Sequence, residues 1–430
     1  MRNLLGSSIL LLSCALSLAI PTEPPSGLRI PLTKRRSLVD EDGVISSDAL
    51  QNEVNILTMK LHRGLEAFER NTGYLHPKDN IENGKRAKGA DPLKEIQDGS
   101  LWQGDVFVGT PPRRFTVDFD TGSSDLLLPG EDCTVDCQGH KRYKPSKSRT
   151  AVDLNKNFTI SFGDGSTVQG NQFLDTVTIA GLTAECQTLG SATQYSLGFA
   201  KSEFPPDGLM GLAFPSVSVF PSSPFFQTLI SQGKTTKPEF SVKLSQEGSE
   251  LFLGGTDEKL GTGVTAFSNV TDVAFWQVNM DSVDVNGTVA VQGLSAIIDT
   301  GTTLIIGDPT TVAQFYAAIP GSKNASESVG NGHFTVPCDT IPEVSLTFGG
   351  ISFSIPPDEF NRGRVSKESL DCIGGISAKN LGDFWVIGDL FLQTVLTTFD
   401  VGNLRVGFAQ LAPTTAETDL RDSMLLSQTN

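Results

Sequence analysis

The stretch Phe115-Thr116-Val117-Asp118-Phe119-Asp120-Thr121-Gly122-Ser123-Ser124 decides how this chain is read, because Ser295-Ala296-Ile297-Ile298-Asp299-Thr300-Gly301-Thr302-Thr303 repeats its design. Each is an apolar run that delivers an aspartate to a glycine turn followed by a hydroxyl residue, the pattern of a strand ending in a tight bend. Glycine lets the backbone turn back on itself there. Two such turns facing each other would set two carboxylates against one water. A second element recurs in step: Asp207-Gly208-Leu209-Met210-Gly211-Leu212 and Phe384-Trp385-Val386-Ile387-Gly388-Asp389-Leu390. Gly211 follows Asp120 by 91 positions and Gly388 follows Asp299 by 89, which points to an internal duplication of two similar lobes.

On these motifs the sequence resembles the pepsin-like aspartic proteases, from about Ser100 to Ala412, with a weaker match at Leu28-Arg29-Ile30-Pro31-Leu32-Thr33-Lys34. The resemblance implies an all-β, two-lobed pepsin-like fold of β-barrel lobes with pseudo-twofold symmetry and a central cleft. It implies an acid endopeptidase, made as a secreted zymogen, in which Asp120 and Asp299 are catalytic. Thr121 and Thr300 would cross-link the two loops, Gly122 and Gly301 would turn backbone N–H groups toward the carboxylates, and Ser123 and Thr302 would bond their outer oxygens. Gly301 and Thr303 would contact substrate backbone. The segment Ile160-Ser161-Phe162-Gly163-Asp164-Gly165-Ser166 resembles the family's flap, so Phe162, Gly163 and Asp164 are expected to close on substrate. Asp164 would either meet a basic side chain before the scissile bond or face solvent as a turn residue. Phe204, Leu209 and Phe214 are expected to wall a pocket or to belong to the core.

The flap departs from the family pattern. The usual tyrosine is Phe162, and the tryptophan it would bond is Leu127. Losing both partners of a hydrogen bond is close to neutral where losing one is costly, so the expectation is a flap held by packing over a competent site.

Composition agrees. The 430 residues hold 43 Gly and 23 Pro among short Val/Ile/Phe/Thr runs, the texture of many strands joined by turns. Long amphipathic helical repeats are not apparent, and the best helix candidates are Pro224-Phe225-Phe226-Gln227-Thr228-Leu229-Ile230 and Pro309-Thr310-Thr311-Val312-Ala313-Gln314-Phe315-Tyr316. Residues 1–20 have the pattern of a cleaved secretory signal. Residues 21–86 read as a propeptide ending in the dibasic Lys85-Arg86, and the resemblance implies that Lys60 or Lys78 sits between the aspartates as the chain's own inhibitor. An N-terminal lobe at 87–270, a C-terminal lobe at 271–413 and a polar tail at 414–430 complete the division.

The 87–430 part carries 22 Lys+Arg against 39 Asp+Glu, about −17, which argues against nucleic acid and suits work in acid. Secretion predicts paired cysteines. The resemblance implies Cys133 with Cys137 and Cys338 with Cys372, while Cys186 is expected to be a buried free thiol. Asn157, Asn269, Asn286 and Asn324 head glycosylation sequons.

Other hydrolase chemistries find little support. Outside the propeptide only His140 and His333 remain, neither in a nucleophile motif, and no zinc-binding pattern occurs. Asp40-Glu41-Asp42-Gly43 lacks the other ligands of a calcium loop and reads as solvated acid. No metal, cofactor or membrane anchor is expected; the partners are polypeptide substrates, and the enzyme is expected to be a monomer, extracellular or in a vacuolar lumen. The rival reading is an inactive pepsin-like binding or inhibitor protein, favoured only by the altered flap.

Overall fold

In the computed structural model, residues 28–34, 39–40, 42–77, 102–161, 167–245 and 248–413 are described. The signal, Lys78, the dibasic site, the flap tip with Phe162, Gly163 and Asp164, and the tail therefore lie outside the described residues. Among those described, strands dominate and form sheets of 13, 8 and 4 strands.

The two lobes repeat one local plan. Strand Arg113–Asp120 runs parallel to Gly208–Gly211 with Asp120 opposite Gly211, and Thr288–Ile298 runs parallel to Trp385–Ile387 with Ile298 opposite Ile387. In both, the apolar strand ends at the aspartate because the chain must leave the sheet there. The loop after each aspartate is then captured by backbone bonds: Leu212 N donates to Asp120 O at 2.8 Å, and Asp389 N donates to Thr302 O at 2.8 Å. Gly211 and Gly388 lie under these loops. A Cβ on Gly211 would stand 2.5 Å from Asp125 N, and one on Gly388 would stand 2.5 Å from Leu304 O, distances at which backbone has to move.

The lobes share one core. Glu239–Lys243, after the first motif set, pairs with Val395–Asp400, after the second. Phe240 stacks on Phe399 at 4.8 Å, and Trp276 packs edge-on against Phe399 at 5.0 Å and tilted against Phe214 at 4.5 Å. Phe214 thus belongs to the core.

Both proposed helices form, as Phe225–Ser231 and Pro309–Ala317, the second capped by Asp308 accepting from Thr310 N and Thr311 N. A third was not expected. Residues Ser47–Thr72 make a helix of 26 residues, started by Ser46 accepting from Ala49 N and closed by Gly73 at φ 77°. Leu50, Val54, Leu57, Leu61 and Leu65 recur at helical spacing, and that stripe is what buries the helix against Phe275, Ile297, Leu304, Ile306 and Phe384. Upstream, Leu28–Pro31 adds antiparallel to Glu250–Leu253, burying Ile30.

Cys133–Cys137 and Cys338–Cys372 are bonded. The expectation for Cys186 is corrected: its side chain is exposed on a strand, and no cysteine among the described residues is free. Asp40 accepts Asp42 N and Val44 N, each at 2.9 Å, so it closes a turn. Among the described residues no helix is long and apolar enough to cross a membrane.

Replacing Gly211 or Gly388 by alanine is expected to cost about 3 kcal/mol or more through overpacking against backbone. Urea unfolding of each variant checks this, and a loss below about 1 kcal/mol would contradict it.

Candidate active site

Asp120 and Asp299 lie at the ends of their parallel strand pairs, 1% and 0% exposed. Their loops are tied together by four hydrogen bonds. Thr121 N donates to Thr300 Oγ1 at 3.1 Å and Thr300 N to Thr121 Oγ1 at 3.0 Å. Thr121 Oγ1 then donates to Ile298 O at 2.9 Å, and Thr300 Oγ1 to Phe119 O at 2.7 Å. Each threonine therefore spends its hydroxyl wholly on the opposite lobe.

Each carboxylate has the same two donors. Gly122 N and Ser123 Oγ donate to Asp120 at 2.9 and 2.5 Å; Gly301 N and Thr302 Oγ1 donate to Asp299 at 2.9 and 2.6 Å. The turn glycines are required sterically as well, since a Cβ on Gly122 would stand 2.6 Å from Asp299 Oδ1. Thr303 is buried, and its carbonyl accepts Leu390 N at 3.0 Å.

Lys60, from the unexpected helix, occupies the point between the carboxylates. Its Nζ is 3.0 Å from Asp120 Oδ1 and 2.6 Å from Asp299 Oδ2, and it donates to Gly301 O at 3.1 Å. Of the two lysines considered for this position, Lys60 fills it. Burial alone would lower the ammonium's pKa, but the two aspartates reverse that and hold it above its ordinary value. Burial pushes Asp120 up, yet Lys60 and Ser123 outweigh burial and leave it below the ordinary carboxyl value, whereas burial leaves Asp299 above it. The two carboxyls titrate as a pair whose environments pull them apart.

Above the dyad, strands Val152–Ser161 and Thr167–Ile179 form the stem of a hairpin, with Ser161 opposite Thr167. Leu127, where the expected tryptophan is missing, is buried in an apolar cluster with Phe158, Ile160, Val168 and Phe220. The cleft beside Asp120 is lined by Leu127, Ile160, Leu209, Phe199 and Val219, so Leu209 is a wall residue. Phe204 stands behind it, against Phe199 at 5.0 Å. Phe199 and Val219 carried no sequence signal, being ordinary apolar loop residues until the fold brings them here.

The histidines are elsewhere. His140 bonds Phe199 O at 2.9 Å, and His333, fully buried, bonds Ser377 Oγ at 2.9 Å. Ser377 is only 1% exposed, so this serine–histidine contact is sealed from any substrate.

The sequence pattern of the eukaryotic aspartyl protease family matches residues 102–411. The chain is 42% identical over 343 residues to an aspartic protease of Phaffia rhodozyma, covering 78% of this chain and 83% of that one. It is also 38% identical over 336 residues to cathepsin D of Gallus gallus, covering 74% and 82%, and 31% identical over 398 residues to pepsin II-1 of Oryctolagus cuniculus, covering 89% and 95%. The chain belongs to the eukaryotic aspartyl protease family. As a pepsin-like aspartic endopeptidase it is caught with a lysine across its two motif aspartates.

That lysine sets an acid dependence. Asp120 lies below its ordinary 3.8 in the folded chain, so its contribution is present above that value and lost as pH falls through the folded pKa. Asp299, raised, has the opposite sign, but the ammonium's attraction to either carboxyl needs that carboxyl ionised. In a Lys60→Met proform, opening should move to higher pH by about one unit or more. Gels that follow cleavage of the proform against pH check this; an unchanged midpoint would count against the latch.

His333 adds to acid sensitivity. Burial lowers it from 6.5 to about 4, so between those values the unfolded chain binds a proton that the folded chain refuses, and stability falls as pH falls. The window is worth up to about 3 kcal/mol. His333→Gln should flatten the unfolding free energy between pH 6.5 and 4; a slope equal to that of the parent would exclude His333 as its source.

Proposed function

We propose that this protein is an acid endopeptidase that activates one water between Asp120 and Asp299 and cuts polypeptides beside large apolar residues. The observation that carries the reading is the single ammonium of Lys60 within 3.0 Å of one carboxylate and 2.6 Å of the other. One point within reach of both oxygens is where a water would be held once Lys60 leaves.

Two buried carboxyls at such a distance cannot both ionise cheaply, so the free pair keeps one proton across a wide acid range. The ionised member takes a proton from the water as its oxygen attacks the peptide carbonyl. The protonated member donates to the carbonyl oxygen, giving a neutral tetrahedral diol. Collapse of the diol breaks the C–N bond as the protonated carboxyl donates to the leaving nitrogen and the ionised one takes a proton from a diol hydroxyl, so the pair again holds one proton. Gly122, Ser123, Gly301 and Thr302 hold the carboxylates in place, and Thr121 and Thr300 hold the two loops in register. Preorganisation of that kind costs nothing at the moment of reaction.

Substrate lies extended across the cleft, with Gly301 and Thr303 near its backbone and Leu127, Leu209 and Ile160 offering apolar contact. Phe162, Gly163 and Asp164 close over it. The segment 21–86 is the propeptide and inhibitor, released at or near Lys85-Arg86; 87–270 and 271–413 are the catalytic lobes. Secretion, or delivery to an acidic vacuole, matches the net acidity and four exposed sequons at Asn157, Asn269, Asn286 and Asn324.

Asp120→Asn and Asp299→Asn should each lower kcat by at least about 10³-fold on a denatured protein at acid pH, with KM little changed. Undiminished turnover in either variant would end this mechanism. No turnover by the acidified parent, with tight capture of a diol-type inhibitor, would favour an inactive binding protein.

A further inference from the structure

Lys60 is not the only cation that the pro-helix carries into the cleft. Arg63, three residues on, lines a pocket together with Ser123, Asp125, Leu127, Leu209 and Val217. Three residues of helix advance about 4.5 Å, so Arg63 leaves the helix one step along from Lys60. In an extended peptide, at about 3.3 Å per residue, that is the reach of one or two residues from the scissile bond. The pocket wall is mostly apolar, and burial pushes the guanidinium down while Asp120 and then Asp125 pull it back up.

The two aspartates differ in what else they serve. Asp120 is already matched by Lys60, Ser123 and Gly122. Asp125 is held by neutral donors: Ser218 Oγ at 2.6 Å, Val219 N at 2.7 Å and Phe220 N at 3.4 Å. These bonds fix the carboxylate on the pocket wall without supplying a counter-charge. Burial holds the Asp125 carboxyl above its ordinary value while Ser218, Val219, Phe220 and Arg63 pull it down, so removing the propeptide leaves a fixed, part-buried carboxyl facing an apolar slot, whose ionised form a cation with an aliphatic stem would stabilise.

We propose that Asp125 gives the mature cleft a subsite for a lysine or arginine side chain of the substrate, in the pocket that Arg63 lines in the proform. Asp125 is a specificity-determining residue in this proposal. The carboxylate pairs with the substrate cation while Leu127, Leu209 and Val217 pack on its methylenes. The proposal rests on the protease reading above, and it predicts that the enzyme accepts a basic residue close to the scissile bond alongside the apolar residues the rest of the cleft favours.

The test uses the matured full-length product and peptides identical except for arginine, norleucine or glutamine walked through each position flanking the scissile bond. At one position the parent should prefer arginine to glutamine by about tenfold in kcat/KM. Asp125→Asn should abolish that preference and leave the glutamine and norleucine peptides within about twofold, because Ser218 Oγ can reverse its role and the Asn oxygen can still accept Val219 N. An arginine preference absent from the parent, or equal in parent and variant, overturns the proposal. So does a variant that loses all peptides in parallel, since that marks a structural carboxylate. Should Asp125→Asn not fold, the parent is given the same peptide with citrulline, the uncharged isostere of arginine, at that position, and a parent that cleaves it as well as the arginine peptide overturns the proposal. A parent that cleaves no peptide refutes the protease reading instead, so the two failures are distinguishable.

Discussion

The exchange of hydrogen bonds between Thr121 and Thr300 is the constraint on which the site depends. Each hydroxyl accepts an N–H from the opposite loop and donates to a carbonyl of the opposite strand. Such a buried, fully satisfied network is rigid, because loosening any member strands a polar group away from water. With the loops crossed in this way, the separation of the carboxylates is set by the threonines and no longer by the carboxylates' own repulsion. Like charges are thereby held close in a place neither would choose alone. Lys60 supplies the counter-charge that offsets that cost.

The duplicated turns and their trailing glycines were legible because sterics leave few alternatives at those positions: Gly122, Gly211 and Gly388 each face backbone or carboxylate at distances that exclude a side chain. The helices at Pro224 and Pro309 were legible for a similar reason, since proline at a helix start acts locally. The helix Ser47–Thr72 was not anticipated, although Leu50, Val54, Leu57, Leu61 and Leu65 carry its period. Its charged and polar majority masked the stripe, and only the cleft of the folded lobes gives that stripe something to cover. Asp125 was equally silent. A single aspartate after a serine pair reads as turn chemistry until Ser218 and Val219, distant in sequence, arrive beside it.

The altered flap also takes on a physical shape. Leu127 packs with Phe158, Ile160, Val168 and Phe220 where a hydrogen-bonding aromatic was expected. Dispersion contacts of this kind have no preferred direction, so they hold the hairpin stem without specifying one orientation. The polar machinery of the site is concentrated below, in the dyad and its hydroxyls, while the wall above is almost wholly apolar.

The strand Leu28–Pro31 has a consequence of another sort. It completes the border of the large sheet by pairing with Glu250–Leu253, yet it belongs to the part of the chain expected to be discarded. Under the maturation proposed above, proteolysis would remove a template along with an inhibitor and uncover a row of backbone donors and acceptors on Glu250–Leu253. The working molecule of that proposal is no longer the molecule that folded. Its persistence would be a matter of the height of the barrier to unfolding, and once opened it would lack the strand on which that border was built.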